Sequence, residues 1–376
     1  MQINRCILIL GPTAPSIGGI TTAVNALMTS RLASEFDMRL LANSNHREMN
    51  RKGIIDLHNI ASSLMILGRL LKAIYFFRPS IVQVETAGGI GFLKQSMYIF
   101  AARMMRCKVI VSLHCANEGE PLMEFADGNW IARFYCERVL QMCSIVKLLS
   151  PLWKGEFAIR WGLDCERVIG LRNCLDDSFP WGKALTHSRI SDKLRVICVG
   201  SVGKRKGSFL LIAAIERLNA SGIPASLVLV GPEEISGWMA HLADAALKAG
   251  VQGEVTLRGG ISRERALLEL CEADVFALPS YAEGMPYSII EAMAIGLPVV
   301  ASDVGAIRDL IANEDTGLLV EAGSVDQLTN ALARLARDME FRRKLALRGN
   351  LFVSNEFSAR HLEVVLRPVY EGLIGA

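Results

Sequence analysis

Short apolar runs alternate with longer amphipathic stretches along the whole chain. Cys6–Leu10, Ile81–Glu85, Val109–Leu113 and Ile145–Leu149 form one series. Arg195–Val199, Ser226–Val230, Val255–Leu257, Val275–Leu278 and Pro298–Ala301 form a second. Brief apolar runs bounded by helix-length segments are the signature of strands buried on both faces. Their alternation predicts parallel sheets with crossover helices. A more polar segment containing Pro and Gly, Asp176–Lys193, separates the two series. The pattern therefore predicts an α/β chain of two doubly wound domains, 1–175 and 194–355, joined by a linker at 176–193. In such domains a ligand sits beyond the carboxyl ends of the strands.

Two of the intervening helices are unusually apolar. Ile60–Phe77 is interrupted by Arg69 and Lys72, and Gly88–Met105 by Lys94, Gln95 and Arg103. Neither offers the roughly 20 predominantly apolar residues of a membrane span. Both read as helices against a sheet, the first through Ile60, Leu64, Leu67, Leu71 and Ile74 at helical spacing. The start, MQINRCILILGP, reads as a first buried strand and carries no secretory signal. A length of 376 residues and a hydrophobic fraction of 51% suit two cores. The nine Cys form no C-x-x-C pair, so they read as reduced thiols in a cytoplasmic protein, with no disulfide framework and no zinc site.

Charge is uneven. Residues 1–172 hold 20 Lys+Arg against 13 Asp+Glu, and residues 173–376 hold 21 against 25. The basic first half suits an anionic partner, or simply solvated helix faces. Nucleic acid is not indicated, because no basic-aromatic stripe or binding motif accompanies the charge. Phe92–Met105 carries Lys94 and Arg103, with Arg106 and Lys108 just beyond. That mixture would suit an anionic membrane surface. The alternative packs Phe92, Met97 and Phe100 into the core and turns the cations to water.

Four loops are placed for chemistry. After Val275–Leu278 comes SYAEGMPYSIIEAMAIGLPVV, with Glu283, Gly284, Met285 and Pro286 ahead of a helix and Glu291 within it. Free N–H groups and the positive helix end can hold a phosphate there, with Glu291 in reach of ligand hydroxyls. A purely local reading makes Ser288-x-x-Glu291 a capping box. After Arg195–Val199 comes GSVGKRKG, whose Lys204, Arg205 and Lys206 suit a diphosphate, or form a solvated basic turn. It is not a Walker loop. After the first strand, Gly18 and Gly19 would let backbone approach a ligand. His114 ends the strand Val109–Leu113, a place suited to chemistry as well as to a plain polar loop residue.

In this order, the Gly-Gly loop, the strand-His, G-x-x-x-x-x-K-G and LPSYAEGMPYSIIEAMAIGLPVVASDVGAIRDLI with the later TGLLV resemble the retaining glycosyltransferases of family 4. RNCLDDSF resembles that family's P-N-G-V-D stretch, and EFSARHLEVVLRPVYEGLI its terminal helix. The resemblance implies the GT-B architecture, two Rossmann-like domains facing across a cleft, with 356–376 crossing back to the first. It also implies a nucleotide-diphosphate sugar held mainly by the second domain, with acceptor specificity in the first. Lys206 then falls on the diphosphate-binding Lys and Glu291 on the carboxylate that holds the ribose. Glu283 and Gly284–Pro286 fall where the sugar and phosphate are held, Gly19 on the phosphate-facing glycine, and His114 near the transferred sugar. The chain departs from the family at Ser201, where Arg is common, and at Arg172 and Cys174 in the P-N-G-V-D stretch. Arg205 is a candidate replacement for the missing cation.

The expected reaction moves a sugar to a hydroxyl, with retention, by front-face attack. The acceptor would be a saccharide or lipid-linked, in surface polysaccharide or glycolipid synthesis. The enzyme would work in the cytoplasm, free or peripheral at the inner face of the membrane. No cofactor and no metal is expected, since Asp176-Asp177 are adjacent and make no D-x-D, and protein cations can stabilise the leaving diphosphate. Two other readings are a sugar-nucleotide epimerase of the same fold and a non-catalytic nucleotide-sugar-binding scaffold.

Overall fold

A computed structural model describes residues 5–13, 19–43, 57–86, 90–114, 126–186 and 192–375. The chain divides into two compact units, Met1–Asp177 with Phe357–Ala376, and Ser178–Glu356. The residues expected to form a linker fall mostly in the second unit, where the 3-10 turn Lys183–Thr186 packs on the helix Tyr287–Ile295.

The first unit is a parallel sheet in the order β2-β1-β3-β4-β5-β6. Its strands are β1 (Ile7–Gly11), β2 (Met38–Ala42), β3 (Ile81–Thr86), β4 (Lys108–Leu113), β5 (Ile145–Leu148) and β6 (Val168–Gly170). In chain order, helices α1 (Gly19–Thr29), α2 (Arg31–Glu35), α3 (Leu57–Phe77), α4 (Ile90–Met104), α5 (Trp130–Met142) and α6 (Lys154–Arg160) follow β1 to β5. β1 and β3 are buried at every position, so sheet faces on both sides need cover. One face packs on Ile66, Leu70, Phe92, Ile99, Cys136 and Leu140 from α3, α4 and α5. The other packs on Val24, Leu27 and Leu32 from α1 and α2, and on Leu362, Leu366 and Tyr370 of the terminal helix.

The second sheet runs β12-β11-β10-β7-β8-β9, also parallel. It comprises β7 (Leu194–Val199), β8 (Ala225–Val230), β9 (Val255–Gly259), β10 (Val275–Leu278), β11 (Val299–Ser302) and β12 (Leu318–Val320). The connecting helices are α7 (Ser208–Ala220), α8 (Trp238–Lys248), α9 (Arg263–Cys271), α10 (Tyr287–Ile295) and α11 (Ile307–Leu310). After β12 come α12 (Val325–Arg337), α13 (Met339–Glu356) and, in the first unit, α14 (Ala359–Gly375). Both units are thus doubly wound and Rossmann-like. In each, the order reverses beside the first strand, between β1 and β3 and between β7 and β10. Such a reversal opens a crevice above the strand ends.

Helix α3 departs from the sequence reading. Ile66, Leu70 and Ile74 face the core, whereas Ile60, Leu64 and Leu71, assigned there by spacing, are exposed. A helix apolar all round carries no usable phase in its pattern. Its stretch Asn59–Phe77 is also long and apolar enough to cross a membrane, contrary to the expectation, with a mean hydropathy of 1.6. In α4, Phe92 is buried and Met97 packs on the core as the alternative held, but Phe100 is exposed.

Candidate functional site

In the second unit, the loops after β7 and β10 meet at the reversal point. Glycine lets them approach. Gly207 has φ +72°, and a Cβ there would stand 2.1 Å from the Pro279 carbonyl oxygen. Tyr281 N–H donates to the Arg205 carbonyl at 2.8 Å, stitching the loops together. Lys206 Nζ then donates to Glu283 Oε1 at 2.5 Å, both side chains about nine-tenths buried. Arg205 reaches the same carboxylate at 3.7 Å. Its guanidinium is steadied by Glu234 at 2.8 Å, by the Ala282 carbonyl at 3.2 Å, and by the Ser201 hydroxyl at 3.2 Å. The cation therefore lies against the position where the resemblance expects an arginine.

Residues 283–286 lead into α10. Pro286 is its N-cap, with φ −72° and ψ 119°, and no side chain caps the end. The capping-box reading fails, because Ser288 lies inside the helix and Glu291 is turned to another partner. Arg263, at the start of α9, donates to Glu291 Oε1 through Nε at 3.0 Å and Nη2 at 2.9 Å. Below the loop, Gly305 has φ +56°, and a Cβ there would fall 1.7 Å from the Glu283 carbonyl oxygen. The neighbouring Ala306 N–H donates to Gly284 O at 3.1 Å. Met285 is buried. Lys206, Glu283, Gly284, Met285 and Pro286 are thus one constellation, with Glu291 one turn further along α10.

The first unit holds a second polar cluster at the carboxyl ends of β3, β4 and β5. His114 Nε2 lies 2.6 Å from Glu85 Oε2, and both side chains are buried. Glu85 Oε1 accepts from Gln83 Nε2 at 2.6 Å and from Ser112 Oγ at 3.0 Å, and Lys147 Nζ stands 3.9 Å from Oε2. Tyr370 of α14 donates to Gln83 Oε1 at 2.7 Å. Burial alone would raise the Glu85 pKa, but Lys147 foremost, then His114 and Gln83, bring it down to about 2. An ionised carboxylate only accepts, so His114 carries its proton on Nε2 and turns Nδ1 away from Glu85. Gly19 opens α1 after β1, while Gly18 lies outside the described residues.

Arg263, Glu234, Glu85, Gln83, Lys147 and Tyr370 escape motif reading. Gln83 and Glu85 left a faint signal, polar residues two apart among Ile81, Val82 and Val84; Lys147 in IVKLL left another. Arg263 sits in an ordinary amphipathic helix and left none.

Residues 186–351 match the family model described as glycosyl transferases group 1. The match spans nearly all of the second unit. That unit is a group 1 glycosyl transferase domain. Over 245 residues, 62% of this chain, the sequence is 28% identical to a GDP-mannose-dependent alpha-(1-6)-phosphatidylinositol monomannoside mannosyltransferase of Mycobacterium tuberculosis. It is 30% identical over 196 residues to an amylovoran biosynthesis glycosyltransferase of Erwinia amylovora, half of this chain. The chain spans 61% and 46% of those two relatives. Solved structures share the fold across both units. Sucrose-phosphate synthase of Thermosynechococcus elongatus superposes with a TM-score of 0.76 at 19% identity, covering 98% of this chain and 99% of that one. Anabaena HepE, solved with UDP-glucose, gives 0.72 at 16% identity over 98% and 99%.

Proposed function

We propose that this chain is a retaining glycosyltransferase that moves a sugar from a nucleotide-diphosphate donor to a hydroxyl acceptor. The observation that carries the reading is the Lys206–Glu283 pair at 2.5 Å, closed between two loops at the reversal point of the second sheet. A carboxylate suited to sugar hydroxyls and an ammonium suited to a diphosphate stand side by side, at the entry to an uncapped helix. The relatives support the class: their names describe a GDP-mannose-dependent mannosyltransferase and a glycosyltransferase of amylovoran biosynthesis.

Transfer builds positive charge at the anomeric carbon and negative charge on the departing diphosphate. Lys206 and the N–H groups opening α10 would meet that negative charge, with Arg205 supplying the cation absent at Ser201. Glu283 would hold the sugar, and Glu291, fixed by Arg263, the ribose hydroxyls. The acceptor oxygen attacks from the leaving-group face, its proton passing to the departing phosphate oxygen, so the configuration is retained. The first unit would contribute acceptor recognition, with His114 Nδ1 left free by the Glu85 contact to meet a ligand hydroxyl. The acceptor would be a saccharide or a lipid-linked glycan, reached from the cytoplasmic side of a membrane.

No cofactor enters this scheme, and the cations are side chains. Chelator should therefore leave turnover unchanged; abolition by chelator with rescue by magnesium would require a different electrostatic account. The reading itself is tested with a panel of sugar nucleotides, scoring nucleoside-diphosphate release with and without acceptor. Acceptor-dependent release is expected from one or a few donors. Epimerised donor without release, or binding with no turnover on any donor, would overturn it.

A further inference from the structure

We propose that the outer faces of α3, α4 and α5 form one docking surface for an anionic phospholipid bilayer. This names the partner of the proposed transferase's first unit and rests on that reading for its purpose, though not for its evidence. The three helices lie side by side on one face of the sheet, α3 against α4 and α4 against α5. Their outward side chains include Leu64, Tyr75, Phe76, Phe100, Trp130 and Phe134, each more than half exposed. Of the 25 exposed large hydrophobic residues among the described positions, 14 lie on these three helices. Exposed apolar surface gathered on one face marks an interaction site, whereas scattered residues would not.

Charge decides what covers it. Arg69, Lys72, Arg103, Arg133 and Arg138 are exposed on the three helices, with Arg106 just past α4, and their one acidic residue, Glu137, is half-buried. Lys72 lies 5.9 Å from the Phe76 ring centroid and Arg138 4.8 Å from that of Phe134. Cations interleaved with aromatic rings match the boundary between headgroups and acyl chains. A second copy of this chain would set these cations against their own kind. Lys94 belongs to another role: its ammonium bonds the Asn43 carbonyl at 3.1 Å, and burial lowers its pKa.

The surface lies on the membrane and does not cross it. Ile66, Leu70 and Ile74 of α3 are core residues, and only Arg78, Pro79 and Ser80 separate α3 from β3. Spanning would pull that face out of the sheet.

The test is sedimentation of the full chain with phosphatidylcholine vesicles, with and without phosphatidylglycerol. Binding should need phosphatidylglycerol, weaken with salt and reverse in alkaline carbonate. Tyr75→Ser with Phe76→Ser, and separately Arg69→Glu with Lys72→Glu, should each raise the lipid needed for half-binding by about tenfold or more. Circular dichroism and nucleoside-diphosphate release should stay unchanged in both. Equal recovery in the supernatant with both vesicle types would overturn the surface while leaving the transferase reading intact. So would wild-type binding by both variants. Resistance to carbonate would make α3 a span, and a lipid-free dimer dissolved by the substitutions would make the face a copy interface. Either result replaces the proposal.

Discussion

Lys206 and Glu283 are buried opposite charges at 2.5 Å, so neither can be removed without stranding the other. Among the described residues, Lys206→Met leaves the carboxylate only Arg205 as a cation, at 3.7 Å. Breaking a buried pair in this way costs about 3–5 kcal/mol of stability. It should also weaken donor nucleotide binding by about 1.5–3 kcal/mol, the worth of a charge-assisted contact. Adding Glu283→Gln should recover most of the stability and none of the affinity, a split that denaturation and calorimetry read separately. Unchanged affinity in both variants would remove Lys206 from the donor site. Glu85 gives a prediction in pH. Its folded value of about 2 lies below its ordinary 4.5. Its ionised form therefore stabilises the fold fully above 4.5, and that contribution is lost as pH falls toward 2. The stability margin of the wild type over Glu85→Gln should shrink across that window. If His114 is held in place by Glu85, the same variant should lower kcat with little change in KM; unaltered kcat would leave Glu85 a structural group.

At the scale of elements, all nine apolar runs in the sequence became strands, and β2, β6 and β12 were missed. Each missed strand lies at a sheet edge. An edge strand has one neighbour and less cover: β2, MRLLA, is buried only at Met38. Without two buried faces it lacks the continuous apolar run that marks a central strand. The loops were legible for the opposite reason, since glycine, proline and charge at a strand end have few other uses. Their partners came from tertiary contact, as Arg263 reaches Glu291 across 28 positions and Tyr370 reaches Gln83 across 287. Helix α3 was legible in length and not in phase. Glycine at 305 carries an element-scale prediction. Gly305→Ala places a methyl group 1.7 Å from the Glu283 carbonyl oxygen at a φ of +56°. Left-handed strain alone costs about 1–3 kcal/mol, and the 283–286 loop must shift as well. Donor affinity should fall together with stability. A variant that binds donor normally would show that the loop's position is not what the donor reads.

Across the whole molecule, the order of the chain and the order of the cores differ. Phe357–Ala376 is last in sequence yet belongs to the first unit, where Leu362, Leu366 and Tyr370 complete the core on one face of its sheet. The second unit has its own sheet and carries the Lys206–Glu283 constellation. Two units, each with its own sheet, should unfold as two events, distinguished by which perturbation moves which event. Leu366→Ala removes a fully buried side chain, a change that costs about 2–5 kcal/mol. It should lower only the transition of the first unit. On the proposed site, donor nucleotide binds the native second unit and should raise only the other transition, by an amount that grows with the logarithm of its concentration. Scanning calorimetry with both perturbations reads this directly. If Leu366→Ala lowered the nucleotide-sensitive transition, residues 357–376 would support the second unit, and the division at Asp177 and Glu356 would not be an energetic one. If nucleotide raised the transition that Leu366→Ala lowers and no other, the donor would be held by the first unit, against the site built on Lys206 and Glu283.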